Sequence, residues 1–353
     1  MSVIEVDETR LSETVSEILR IGILAADESH GSPQRPKTIE RRLASFGIPN
    51  DEVHVDAWRK LVRETPLLGD YVSGIILEGS RVLTDASIYA ERGIVPGVKV
   101  DKGNTTLTVG PHQEPLTVGL DGLHSTVEVF RDYGARFTKW RTTTSISDIL
   151  PTDQAIRENM GTHGESGYIV QSVGLVPILE PEVEIKGNHS LETSYTVTSR
   201  VLKAWAEQVQ KQGVYLPGAI LKTSFVIYGD KFTGQRSYAE VAKATLRCLM
   251  ENVPKEVGGV VFLSGGQSDL EAMNHLNELQ NLRMGQHPTP WPVTFSYSRA
   301  LQNDAMEIWG GMPANVERAQ QALLERASAA LMATQGVLPA GYEFQFVPSR
   351  KAH

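Results

Sequence analysis

Short apolar runs alternate along this chain with longer stretches whose apolar positions recur every three or four residues. The first kind predicts buried strands and the second amphipathic helices. Strand-like runs fall at 21–27, 73–78, 94–101, 135–143, 175–181, 218–224, 259–264 and 292–298. Helical spacing appears at 1–20, 38–46, 51–64, 83–92, 122–133, 151–161, 190–212, 238–252, 268–282 and 313–333. The segment after the third strand reads as a Gly/Pro-containing loop, and 336–353 as irregular. Eight strands with helices between them, and no shift in composition that would mark a linker, predict a (β/α)8 TIM barrel. We expect a single domain over 1–353: an N-terminal helix, the barrel at about 20–310, and a C-terminal helical tail at about 311–353. An open doubly wound sheet is the alternative. It would usually show a dinucleotide-binding glycine fingerprint after an early strand, and none is present.

Length alone, 353 residues, fits either two modest domains or one barrel with insertions, and the strand count favours the barrel. A formal net charge of −8 with no Lys/Arg block argues against nucleic acid or an anionic membrane as the main partner. A small anionic substrate stays compatible with it. Cys248 is the only cysteine, which excludes intramolecular disulfides and cysteine-rich metal sites, and it reads as helix packing. The nine histidines show no His-x-x-x-His pair or other ligand spacing, so no metal site is expected. No run approaches the ~20 apolar residues of a membrane span. The stretch 1–20 is acidic and amphipathic, unlike a secretion or transit leader, so a cytoplasmic protein is expected.

In such barrels the chemistry sits at the C-terminal strand ends. Here those ends carry Asp27, then Lys99 with Asp101, Lys139 with Arg141, Glu180, Lys222, Ser264-Gly265-Gly266, and Ser296 with Arg299. Residues two apart on a strand share a face, so Lys99 and Asp101, and Lys139 and Arg141, point the same way. Lys222 stands out because it interrupts an apolar run, Gly218-Ala219-Ile220-Leu221-Lys222. One reading is a structural lysine paired with a carboxylate. The other is an amine held neutral by desolvation and neighbouring cations, as imine chemistry requires. The glycines at 265 and 266 precede a helix whose N-terminus, with Arg299, would form a phosphate cradle.

These strand ends resemble the class I, Schiff-base fructose-bisphosphate aldolases. The resemblance rests on Ile23-Leu24-Ala25-Ala26-Asp27-Glu28-Ser29, Val98-Lys99-Val100-Asp101-Lys102-Gly103, Lys139-Trp140-Arg141 and Val176-Pro177-Ile178-Leu179-Glu180-Pro181-Glu182. It continues through Leu221-Lys222, Phe262-Leu263-Ser264-Gly265-Gly266-Gln267-Ser268 and Phe295-Ser296-Tyr297-Ser298-Arg299-Ala300-Leu301-Gln302, in family order. It implies reversible cleavage of fructose 1,6-bisphosphate with no cofactor or metal, in glycolysis, by a homotetramer. Position by position, it implies that Lys222 forms the imine and that Glu180 shuttles protons, with Lys139 beside it and Glu182 in support. Asp27 takes the C4 hydroxyl proton. Ser264, Gly265, Gly266, Ser296 and Arg299 hold one phosphate, and Ser29, Ser32, Arg42 and Lys99 lie near the other; Arg141 adds a cation to the mouth. Another ketose phosphate, such as fructose 1-phosphate or sedoheptulose 1,7-bisphosphate, or a non-catalytic scaffold role, is the alternative.

Three features depart from the family pattern. An insertion at 33–37 follows Ser32 and shifts the match at Arg42. Thr223-Ser224 stands where many relatives have Pro-Asn, and Ser298 where glycine is common. The chain ends Arg350-Lys351-Ala352-His353 without the tyrosine that helps protonate the enamine in many relatives, so slower enamine protonation or another proton donor is expected. Tyr342 is a poor stand-in.

Overall fold

The computed structural model describes residues 6–31, 34, 35, 37–285 and 287–348. Eight parallel strands close into a barrel: β1 (Ile23–Ala26), β2 (Gly74–Leu77), β3 (Val95–Lys99), β6 (Phe137–Thr144), β7 (Val176–Val183), β8 (Ile220–Thr223), β9 (Gly259–Phe262) and β10 (Val293–Tyr297). The remaining two, β4 (Asn104–Val109) and β5 (His112–Thr117), form an antiparallel hairpin after β3. The barrel order is β1-β10-β9-β8-β7-β6-β3-β2, with β1 pairing both β2 and β10.

The period of two along each strand separates two cores. Outward residues such as Leu24, Ile75, Leu179, Leu221 and Phe295 pack under the helices. Inward residues Ile23, Ala25, Ile76, Phe137, Val176, Ile178, Ile220 and Val261 fill the barrel. The helix Glu8–Ile18 closes the barrel floor with Leu11, Val15 and Ile18. It comes close because Gly218 and Gly258 lack side chains; a Cβ on them would sit 2.7 Å from Leu11 and 2.9 Å from Val15. Above that floor the inward positions change character. On β6 they run Phe137, Lys139, Arg141; on β7, Ile178, Glu180, Glu182; on β8, Ile220 then Lys222. Floor and mouth are thus written on the same faces of the same strands.

Several elements depart from the sequence expectation. The supposed loop after β3 is the β4–β5 hairpin, whose polar, half-exposed residues lack the apolar alternation of a core strand. The helix expected to stop at Gly161 runs Asp153–Ser172, straight through three glycines. A helix at Arg299–Trp309, not separated out from the sequence, follows β10 directly, before the tail helix Val316–Thr334. The N-terminal helix begins at Glu8, inside the expected 1–20. Cys248 is buried in the helix Tyr238–Asn252, and burial pushes its thiol up to about 11, so it is packing, as read.

Candidate active site

A cleft of about 350 Å³ opens at the C-terminal rim, lined by Asp27, Ser29, Arg42, Lys99, Lys139, Arg141, Glu180, Glu182, Lys222, Ser264, Gly265, Ser296 and Arg299 among others. Every described candidate but Gly266 therefore faces it, and Gly266 follows the lining residue Gly265. Ser32 lies outside the described residues, as do Pro33 and Pro36 of the insertion and 349–353.

Lys222 is only 3% exposed, and its Nζ lies 3.1 Å from Glu180 Oε1. Lys139 Nζ stands between two carboxylates, 2.6 Å from Asp27 Oδ2 and 3.4 Å from Glu180 Oε2. Four buried charges thus form one chain, Asp27–Lys139–Glu180–Lys222. Burial drives the Lys222 amine below the ordinary lysine range, assisted by Lys139 and opposed by Glu180. For Lys139 burial acts in the same sense, but Asp27 and Glu180 outweigh it and raise its pKa, so it stays a cation. Burial would raise both acids. The cations prevail: Lys139 and Lys222 hold Asp27 low, and Lys222, Lys139 and Arg141 hold Glu180 low. The lysine is therefore both paired and depressed, which joins the two readings of its apolar run. Arg141 contributes less to this than the strand ends suggested, since its Nε and Nη2 are committed to Glu182 Oε2 at 2.6 and 2.5 Å. Lys99 is likewise held by Asp101, at 2.7 Å.

The residues expected to cradle a phosphate lie past β9 and β10. Gly265 and Gly266 take φ of +56° and +98°, which side chains disfavour, and turn the chain into the helix Asp269–Gly285. The Arg299 guanidinium lies beside them, 3.7 Å from where a Gly266 Cβ would stand. Ser296 Oγ is buried, has no hydrogen-bond partner among the described residues and faces the cleft, ready for an incoming acceptor. Arg42 sits on this side too. Its Nε donates to Asn303 Oδ1 at 3.0 Å, its Nη1 pairs with Glu28, and Arg299 helps depress its pKa after burial. Its immediate neighbours are thus those of the β10 end, where the sequence grouped it with Ser29 and Lys99.

Sequence reasoning missed several supports. Glu28 Oε1 accepts from Arg42, from Ser298 Oγ at 2.8 Å and from Gln302 Nε2 at 3.4 Å. The departure at Ser298 is thereby explained locally: its hydroxyl braces Glu28. Gln267 donates from both its backbone N and Nε2 to the Ser264 carbonyl at 2.9 Å, while its Oε1 lies 2.6 Å from His275 Nδ1. Burial lowers His275 to about 4, so near neutral pH it is an uncharged imidazole donating to that amide. Glu28, Gln267 and Ser298 stood inside the quoted family blocks, which was the available signal; His275 had none. Tyr342 packs edge-on to Phe344 in the tail and does not line the cleft. Among the described residues no group of three or more His, Cys, Asp or Glu is placed to hold a metal ion.

Fold and cleft together define a TIM-barrel enzyme with its chemistry at the C-terminal rim. Residues 10–347 match the model of the class-I fructose-bisphosphate aldolases. A Xylella fastidiosa protein named probable fructose-bisphosphate aldolase class 1 is 42% identical over 328 residues, covering 90% of this chain and 95% of its own. The chloroplastic fructose-bisphosphate aldolase 1 of Pisum sativum is 40% identical over 328 residues, covering 89% of this chain and 87% of its own. A solved structure of fructose-bisphosphate aldolase from Plasmodium falciparum superposes with a TM-score of 0.88 at 37% identity, over 95% of this chain and 96% of that one. The chain belongs to the class I fructose-bisphosphate aldolase family. It is a lyase that reversibly cleaves fructose 1,6-bisphosphate to dihydroxyacetone phosphate and glyceraldehyde 3-phosphate.

Proposed function

We propose that Lys222 is the nucleophile and that the Asp27–Lys139–Glu180 chain moves the protons. The observation that carries this is the buried Lys222 Nζ, 3.1 Å from Glu180 Oε1 at the cleft wall. Glu180, held ionised by its cations, takes a proton from the Lys222 ammonium, and the freed amine adds to the C2 carbonyl of the substrate. Glu180 returns the proton to the carbinolamine hydroxyl, and water leaves. The protonated imine then accepts the electron pair of the C3–C4 bond. Asp27, kept basic by Lys139, takes the O4 proton as that bond breaks and glyceraldehyde 3-phosphate departs. Asp27 gives the O4 proton up to solvent, the enamine takes a proton from solvent at C3, and water hydrolyses the imine to release dihydroxyacetone phosphate. Glu182 holds Arg141 against the β6–β7 wall in support.

C1 is one bond from the imine carbon, and β8 neighbours β9, so the C1 phosphate falls to Ser264, Gly265, Gly266, Ser296 and Arg299. C6 is four carbons away, and its phosphate falls across the mouth to Ser29, Lys99 and Arg141; the family resemblance adds Ser32. Arg42 lies toward the first of these. The enzyme acts in glycolysis as a cytoplasmic homotetramer, a reading that rests on the family resemblance. Light scattering behind size exclusion tests the tetramer, and cell fractionation the compartment.

The imine is tested by incubating the protein with dihydroxyacetone phosphate and EDTA, reducing with borohydride and mapping the modified peptide. The expected result is one triose phosphate adduct, on Lys222, absent from Lys222→Met. No adduct in the wild type, or one on another lysine, would overturn the mechanism.

A further inference from the structure

The insertion at 33–37 is flanked in the chain by Ser29 and Thr38, and both of these line the cleft. Lengthening a loop raises the entropic cost of bringing its ends together, so contacts at its base have more to offset. Here one carboxylate makes them. Glu40, in the first turn of the helix Thr38–Ser45, is fully buried. Its Oε1 accepts from the Gly31 N–H at 2.7 Å, before the insertion, and lies 2.6 Å from His30 Nδ1. Its Oε2 accepts from the Lys37 N–H at 2.9 Å, where the insertion ends. Burial would raise this acid, but the Gly31 and Lys37 donors and His30 outweigh it and keep the carboxyl below the ordinary range. Both ends of the loop are thus pinned to the same side chain.

The consequence reaches Ser29. Its carbonyl accepts from the Ile39 N–H at 3.2 Å, and its Oγ lies 3.2 Å from Thr38 Oγ1. Ser29 is therefore fixed to the same helical turn that Glu40 occupies. At Gly31 a Cβ would run into the Arg35 carbonyl, so the chain doubles back tightly at the base. We propose that Glu40 is a positioning residue for the C6-phosphate subsite: it staples the base of the inserted loop and thereby keeps Ser29 aimed into the cleft. The inference rests on the reading that Ser29 meets the C6 phosphate.

The test compares two substrates that differ only in that phosphate, fructose 1,6-bisphosphate and fructose 1-phosphate. Glu40→Gln keeps the shape but offers one acceptor and one N–H in place of two acceptors, so an N–H must face the Gly31 or the Lys37 N–H. Breaking such a charge-assisted bond corresponds to a loss of about tenfold or more in kcat/KM for the bisphosphate, mainly in KM. The loss for fructose 1-phosphate stays under about twofold. Borohydride trapping with dihydroxyacetone phosphate, which carries only the first phosphate, stays at the wild-type level. Equal losses on both substrates, or no loss on either, would overturn the proposal. Ser29→Ala run alongside separates the two layers. If it discriminates between the substrates and Glu40→Gln does not, the subsite reading stands and the role of Glu40 falls. If Ser29→Ala affects both substrates alike, the subsite reading fails and takes the proposal with it. Should Glu40→Gln not fold, Glu40→Asp, which keeps the charge and shortens the reach, decides by the same substrate comparison.

Discussion

At the scale of single residues the decisive group is Lys139, one cation serving two carboxylates. It is buried with Asp27 and Glu180, so removing any member strands the others in a medium where an unpaired charge is costly. Asp27 and Glu180 both have depressed pKa values in the folded protein. A carboxylate of that kind stabilises the fold fully above its unfolded pKa of about 4, and the contribution is lost as pH falls through the lower folded value. Lys222 works the other way. Its folded pKa is lowered, so it costs stability below its unfolded value, and the cost fades as pH rises through the lysine range. We therefore expect the melting temperature to drop steeply on acidification from about pH 5 to about pH 3. Asp27→Asn, which lacks one of the two titrating partners, should show a shallower drop from a lower starting point. Thermal melts across that range check it; parallel curves would mean that Asp27 carries no folding-linked proton.

At the scale of elements, the long helix Asp153–Ser172 shows what a glycine means when its surroundings are known. A Cβ at Gly164 would stand 2.6 Å from the Gln208 carbonyl of the neighbouring helix Leu191–Lys211, whereas one at Gly161 would meet nothing within 4 Å. Gly164→Ala should destabilise the protein by about 1–3 kcal/mol through overpacking. Gly161→Ala should stabilise it by about 0.5–1 kcal/mol through helix propensity. Urea denaturation of the two variants gives the comparison, and equal signs would contradict the packing. From sequence alone these glycines look alike, and nothing distinguishes the one that packs against a neighbour from the one that does not. The same limit explains the other misses. The β4–β5 hairpin has no buried face regular enough to show a period of two, and the helix after β10 follows its strand with only Ser298 between. The eight barrel strands were legible because their inward positions stay apolar until the last one or two, and Lys139, Glu180 and Lys222 because each ends such a series. Glu40 and His275 were not legible. Their partners, Gly31 and Lys37 for one and Gln267 for the other, define them only once the loops are folded.

At the scale of the whole molecule, the helix Glu8–Ile18 makes the floor of the barrel part of the fold's stability and leaves the mouth to chemistry. Leu11 is fully buried there, against Gly218. Leu11→Ala should cost about 2–5 kcal/mol of stability, yet leave kcat on fructose 1,6-bisphosphate within about twofold, because the charged layer is carried by the strands above it. Denaturant titration and steady-state kinetics on the same sample test this, and a large fall in kcat at temperatures where the variant is folded would show that floor and mouth are coupled.

The closure of β1 on β10 sets a condition on how the enzyme is made. The first strand has its second neighbour only when residues 293–297 exist, so a chain emerging from the ribosome carries an open sheet edge for most of its synthesis. Such an edge pairs readily with other strands, and long-range closure of this kind is slow. Asp27 is translated nearly two hundred residues before Lys222, and the Ser296–Arg299 side of the proposed phosphate cradle comes later still. On the proposed site, a nascent chain short of β10 still lacks Ser296 and Arg299, and the barrel is complete only when its first strand meets its last.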